Sequence, residues 1–274
     1  CEGDIIGRIT GNLAWLCHNL HQVYRHGMDD PETVTMMREL LYPLLGRAVA
    51  YYRHYLREGA DGRLHLPAAF SPEYALAPDC NYDLAGIRWG CRTLIELARL
   101  QGIDAEMVVA WQELLDRLAP YPTGPNGFSI GAGVELTSGH RHWSHMLMAY
   151  PLREVTPESG GAELIRRSLA HWHSFPSGMA GYTFTGGASF HALLGEGDEA
   201  LSNLEGLKPF LHQSTMYQEA GPCIETPLHA AQAIHEMLLQ SHSGIVRVFP
   251  ACPAAWQDVV FHDLRAEGAF LVSA

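Results

Sequence analysis

Three polar clusters carry residue types that could do chemistry. Ser71-Pro72-Glu73 places a carboxylic acid in a loop between Phe70 and Tyr74. Gly139-His140-Arg141-His142-Trp143-Ser144-His145 gathers imidazoles, a guanidinium and an indole. Met216 to Glu225 supplies Glu219 and Glu225, the second directly before Thr226-Pro227. Two carboxyl groups, a cationic fork and an aromatic ring are the equipment for cleaving a glycosidic bond. One acid protonates the leaving oxygen and a second anionic group activates water.

Each cluster also has a plainer reading. Glu73 works as a general acid if partial burial keeps it protonated near neutral pH; otherwise it is an exposed loop charge. Glu225 serves as the base, or as the group that polarises one. Equally, an acid beside a helix start is favoured by the macrodipole alone. Glu219 joins the substrate-binding candidates. Three histidines together suggest a metal, but His140 does not share a helical face with His142 and His145, and a full ligand set is missing. We therefore expect no metal. Hydroxyl recognition by Arg141, His140, His142 and His145, with Trp143 stacked on a sugar ring, fits better. The bland alternative is histidines packed at a helix start. Asn81 and Asp83 read as an N-cap. No phosphate loop, GxSxG, HExxH or dinucleotide fingerprint occurs, so no cofactor is expected.

The elements that must position these groups are mostly helical. Leu13, Leu16, Leu20 and Val23 form an apolar stripe on a first helix. Asp30-Pro31-Glu32 reads as an N-cap, first position and first-turn acid. Met37, Leu41, Leu44, Ala48, Tyr52 and Tyr55 continue one stripe. Further helices follow over 84–101 and 104–118, the latter capped by Asp104. Others are expected over 142–150, from Thr156 to Trp172, around 188–206, and from Thr226 to about His242. Residues 119–139 and 178–187 read as Gly-rich connections. Ile245–Phe249, Val259–His262 and Ala269–Ser273 alternate like strands. About nine helical segments followed by a β tail predict hairpins packed as a bundle or an α/α toroid.

Composition narrows the partners. The chain has 274 residues and a formal net charge of −12, which disfavours nucleic acid and anionic membranes. No apolar run has transmembrane length. Six scattered cysteines without a CxxC read as buried thiols. The chain begins at Cys1 without a signal-peptide pattern and ends inside a strand pattern, so it is expected to be part of a longer protein. The compartment stays open.

In this order, the clusters resemble family 95 glycoside hydrolases, whose best-known members are inverting α-L-fucosidases. Gly11-Asn12-Leu13-Ala14-Trp15-Leu16-Cys17, Leu64–Glu73, Leu118–Tyr121, Gly139–His145 and Glu236–His242 carry the resemblance. Val248–Ala251, Trp256 and Leu264-Arg265-Ala266 extend it. It implies a partial (α/α)6 toroid of helix hairpins over residues 1–243 and the start of a C-terminal β domain over 244–274. It puts Glu73 on the general acid and Arg141 and His142 on substrate-binding positions. Glu225 falls where the family has an aspartate that polarises an asparagine base, in a segment rewritten here as Ile224-Glu225-Thr226-Pro227-Leu228. The family's asparagine pair would lie upstream of Gly11, so the resemblance implies a fragment with impaired activity and an incomplete ring able to self-associate. The implied partner is an oligosaccharide or polysaccharide, and export follows by analogy alone. Two rivals remain: a non-catalytic carbohydrate-binding or scaffold fragment, and a toroid-type polysaccharide lyase acting on acidic sugars.

Overall fold

The structure, a computed structural model, describes residues 10–212, 217–218 and 222–274. The fold is mainly α, with short two-stranded ladders, as expected. The chain forms two compact units. One takes the residues up to Glu135 together with Ser144–Glu154; the other takes Leu136–Trp143 and Val155–Ala274. The tail beyond residue 243 belongs to the second unit.

In the first unit, α1 (Asn12–His26) contacts α3 (Tyr42–Tyr55) and α4 (Asn81–Gln101). The expected leucine stripe of α1 faces outward, with Leu16 and Val23 50% and 57% exposed. The buried face is Ala14, Cys17, His18, His21 and Tyr24. Both stripes have helical spacing, and close approach decides between them. A Cβ on Gly86 of α4 would lie 3.4 Å from the Ala14 methyl, so only a small residue fits at position 14. His18 and His21 then set their rings edge-on to Trp89.

Asp30 caps α2 (Pro31–Met36) as predicted, accepting from the Glu32 amide at 3.0 Å and the Thr33 hydroxyl at 3.1 Å. A π turn over Met37–Leu41 joins α2 to α3. Its wider turn moves the inward position to Leu45, where regular spacing predicted Leu44. Two hairpins follow, β1 (Arg57–Glu58) with β2 (Leu64–His65) and β3 (Ala69–Phe70) with β4 (Leu76–Ala77). α4 ends at Gly102, whose φ of 67° suits glycine. α4 packs on α5 (Ala105–Arg117). Asp104 does not cap α5 through its side chain; it accepts a bond from the Tyr42 hydroxyl at 2.7 Å. β5 (Thr123–Gly124) pairs with β6 (Gly127–Phe128). The helix expected over 142–150 is a single 3-10 turn, Ser144–Met146.

Asn81 and Asp83 are inside α4 rather than capping it. The Asn81 amide donates to the Pro122 and Ser129 carbonyls at 2.8 and 2.7 Å, pinning the 119–130 connection to the start of α4. Asp83 is buried and accepts from the hydroxyls of Thr10 (2.5 Å) and Tyr52 (2.9 Å).

In the second unit, α6 (Ala162–His173), α7 (Gly181–Leu194), α8 (Gly197–Glu205) and α9 (Glu225–Leu238) carry the core. α7 packs on α6, α8 and α9. The Gly-rich run read as a turn is the first half of α7. Its glycines admit partners that a Cβ would strike: the Trp143 and Trp172 rings at Gly186, His173 and Asn203 at Gly187. β7 (Tyr217–Gln218) pairs with β8 (Pro222–Cys223). Residues Leu239–Gln240, expected in the last helix, are strand β9 and pair with β10 (Arg247–Val248). β11 (Leu264–Arg265) pairs with β12 (Leu271–Val272). Leu239, Phe261 and Ala266 bury a small core beneath these ladders.

Candidate active site

The first unit builds a turn around Glu73. β3 and β4 bring Ser71 and Ala75 opposite each other, and the Ser71 amide donates to the Ala75 carbonyl at 2.9 Å. The Tyr74 amide closes the turn on the Ser71 carbonyl at 2.7 Å. Ser71 is fully buried and its hydroxyl meets that of Ser144 at 2.9 Å. The Tyr74 ring stands edge-on to His145, with centroids 5.4 Å apart. The turn is thus anchored from both sides, and Glu73 at its tip is exposed. The partial burial expected for Glu73 is absent because its neighbours Ser71 and Tyr74 take the inward positions.

His145 is 1% exposed. Its ring packs edge-on against Tyr74 beneath the Glu73 turn, a buried setting where hydroxyl recognition expected an accessible imidazole.

The second unit builds a floor for His140, Arg141 and His142. The Trp172 indole donates to the His140 carbonyl at 2.8 Å, and the His142 amide donates to His140 Nδ1 at 3.2 Å. The His142 ring stands edge-on to Tyr182 of α7. Trp143 is only 4% exposed and stacks on Tyr182 and His229, at 4.7 and 5.1 Å between centroids. Trp143 is therefore not a platform for a sugar ring. The absence of a Cβ on Gly186 lets its indole settle against α7.

His229, on α9, was not singled out from sequence. Its Nδ1 meets the Thr185 hydroxyl at 3.0 Å and its Nε2 meets the Ser189 hydroxyl at 3.1 Å. Burial pushes its pKa down to about 4. A neutral ring held by two hydroxyls one helical turn apart locks α9 onto α7. The available signal was its spacing: His229 is four residues after Glu225 on one helix, where such positions share a face.

Glu225 begins α9. A hydrogen bond with the Cys223 side chain and its own backbone amide hold its carboxyl below the ordinary range, and His142 and Arg141 add positive potential. The structure thus brings Glu225, Arg141 and His142 into one electrostatic neighbourhood. Glu219 lies outside the described residues.

Glycine contacts make the placement of this segment testable. A Cβ on Gly178 would fall 2.1–2.5 Å from the Gly139 backbone. Gly178→Ala is expected to destabilise the protein by about 1–3 kcal/mol through overpacking. Gly46→Ala, in open space within α3, is expected to stabilise by about 0.5–1 kcal/mol through helix propensity. Urea midpoints distinguish the two; equal midpoints would show that the Gly139–Gly178 contact places nothing.

The glycosyl hydrolase family 95 catalytic domain matches residues 5–238. The chain belongs to glycosyl hydrolase family 95. No curated protein matches it. The family match stops at Leu238, short of the tail to which the sequence resemblance extended. It includes Glu73, the His140–His145 string and Glu225. Family membership makes carbohydrate the substrate class. The Glu236–His242 string, half inside the match, turns out to be structural. Gln240 donates to the Ala192 and Glu236 carbonyls, and His242 bonds to Gln240.

Proposed function

We propose that this family 95 domain is an inverting exo-glycosidase of the α-L-fucosidase type. Glu73 supplies the general acid. Glu225 supplies the ionised carboxylate that activates water or polarises the group that does. Arg141 and His142, with His140 beside them, recognise sugar hydroxyls.

The observation that carries this reading is the setting of Glu225. Its carboxyl, at the start of α9, is held below the ordinary carboxylate range by the Cys223 side chain and its own backbone amide, with His142 and Arg141 adding positive potential; the resemblance implies an aspartate in this segment. A carboxylate in positive surroundings suits a base or its polariser, and flanking donors suit hydroxyl recognition. The rewritten Glu225-Thr226-Pro227 segment also favours a second reading, a domain that binds sugar without cutting it.

Proton NMR of α-L-fucosyl oligosaccharides incubated with the protein tests both readings. Release of L-fucose first as the β anomer is the expected result. Binding without release supports the second reading. An unsaturated product absorbing in the ultraviolet would mean a lyase and end the proposal.

A further inference from the structure

His65 occupies a position that the proposed reaction does not use. Its Nδ1 lies 2.7 Å from Asp79 Oδ2 and its Nε2 lies 3.0 Å from Asp61 Oδ1. Both ring nitrogens therefore face carboxylate oxygens, and only the imidazolium can donate to both. Neutral imidazole has one N–H, so one of the two contacts would set a lone pair against a carboxylate.

The two carboxylates differ in what they hold. Asp61 sits in the turn between β1 and β2, is half exposed, and accepts from the Arg63 amide at 3.0 Å. Asp79 is buried at the end of the Glu73 loop, with a φ of 47°. Its Oδ1 accepts the Leu66 amide at 2.7 Å, and its own amide donates to the Leu66 carbonyl at 3.3 Å. Leu66 and Asp79 thus close the neck of the loop from Pro67 to Pro78, with Glu73 at its far end. His65 adds a tie across that neck and links it to the β1–β2 turn.

The other charged groups around His65 are engaged elsewhere. Arg57, its cross-strand neighbour, donates to the His54 and Leu56 carbonyls. Glu58, opposite Leu64, pairs with Arg117 at 2.5 Å. Among the described residues, the charged groups acting on the histidine are Asp79 from the loop side and Asp61 from the turn side.

We propose that His65 is a positioning residue: as an imidazolium it clasps the neck of the Glu73 loop, and losing its proton loosens the loop that carries the acid. The claim that this matters for turnover rests on Glu73 being the acid; the clasp itself does not. The hydrogen bonds with Asp79 first and Asp61 second raise the histidine's pKa above its ordinary 6.5. The tie is complete below pH 6.5 and is lost as pH rises through the raised value. An alkaline decline in activity would then come from the loop and not from the reacting groups alone.

The test uses the intact chain and needs no substrate. The His65 imidazole is titrated by NMR from pH 5.5 to 9. Hydrogen exchange of the 67–78 loop is measured over the same range, corrected for intrinsic base catalysis and referenced to α4. The expected result is a His65 midpoint above 6.5. Loop protection should fall through that midpoint, by about tenfold for each pH unit by which it exceeds 6.5. Asp61→Asn should lower the midpoint and shrink the fall, and His65→Gln should abolish the pH dependence; Asp61→Asn alone decides if His65→Gln does not fold. Glu73→Gln should leave the His65 midpoint unchanged, so a Glu73→Gln enzyme that still cleaves poor substrates would sink the acid assignment and leave the clasp standing. A midpoint at or below 6.5, or loop protection indifferent to pH, overturns the proposal.

Discussion

Glutamine at position 73 should slow hydrolysis of glycosides with sugar or alkyl leaving groups by about 10²–10⁴-fold, the usual contribution of a positioned general acid. The substitution keeps the size and shape of the side chain. The turn it sits on is held by Ser71, Ala75, Tyr74 and Ser144. Aryl glycosides with acidic phenols need little protonation and should lose far less. Glu225→Gln should behave differently, depressing turnover of both substrate types, because water activation is needed whatever leaves. Similar losses on aryl and sugar leaving groups in Glu73→Gln would remove Glu73 from the acid role.

The second large effect is acid unfolding well above the range where carboxylates usually protonate. Burial, helped by nearby positive charge, pushes His18 down to about 4 and His21 to about 3. Burial also pushes His173 and His229 to about 4. In the unfolded chain these groups bind protons near pH 6.5. Their contribution to stability is complete above that value and drains away as pH falls toward 4. Each pH unit of displacement corresponds to about 1.4 kcal/mol, so each deeply buried histidine contributes about 3 kcal/mol. His173, the most accessible of the four, contributes less.

Two carboxyls act in the opposite sense. Burial raises Asp83 to about 6 against the bonds from Thr10 and Tyr52. It raises Glu154 to about 7 although Arg92 pairs with it, because that guanidinium is itself half exposed and screened. Both groups stabilise the fold on acidification. The histidines outweigh them by roughly two to one, leaving a net loss comparable to much of the 5–15 kcal/mol typical of a domain. Urea midpoints should fall steeply between pH 6.5 and 4.5. His18→Phe, which faces Trp89 and carries no proton, should flatten that fall. A flat profile would mean that these rings exchange protons freely in the folded state.

Several parts of this fold were legible from residue order because local chemistry decides them. The Asp30-Pro31 start and the Gly102 stop are set by a side-chain oxygen, a missing N–H and a left-handed φ, all local. The outward turn of the α1 leucines was not legible. Two stripes had the same period, and the choice depended on Gly86, more than sixty residues away. The Leu44-to-Leu45 change needed the π turn, which helical periodicity does not announce. The glycines of α7 looked like breakers, and only the rings packed against them explain their place in a helix.

The candidate site divides along the same line. Glu73 and Glu225 stood out because carboxylates in loops and at helix starts attract attention. Trp143 and His145 stood out for their types, yet burial gives them structural duties. His229 was invisible because its two hydroxyl partners lie on another helix and nothing in its neighbours hints at them. The Gly139–His145 string reads as one motif but serves two units, ending its first duty at Trp143 and starting its second at Ser144.

That division has a consequence for how the molecule is made. Synthesis runs from the N-terminus, and the Glu73 turn emerges long before Ser144 and His145. Neither unit is an unbroken stretch of chain. A polypeptide halted at residue 135 would have β3 and β4 but not the Ser144 hydroxyl, the His145 ring or the buried Met146–Ala149 run that completes the first unit's interior. The acid-bearing turn therefore gains its support only after the ribosome has passed through eight residues belonging to the other unit.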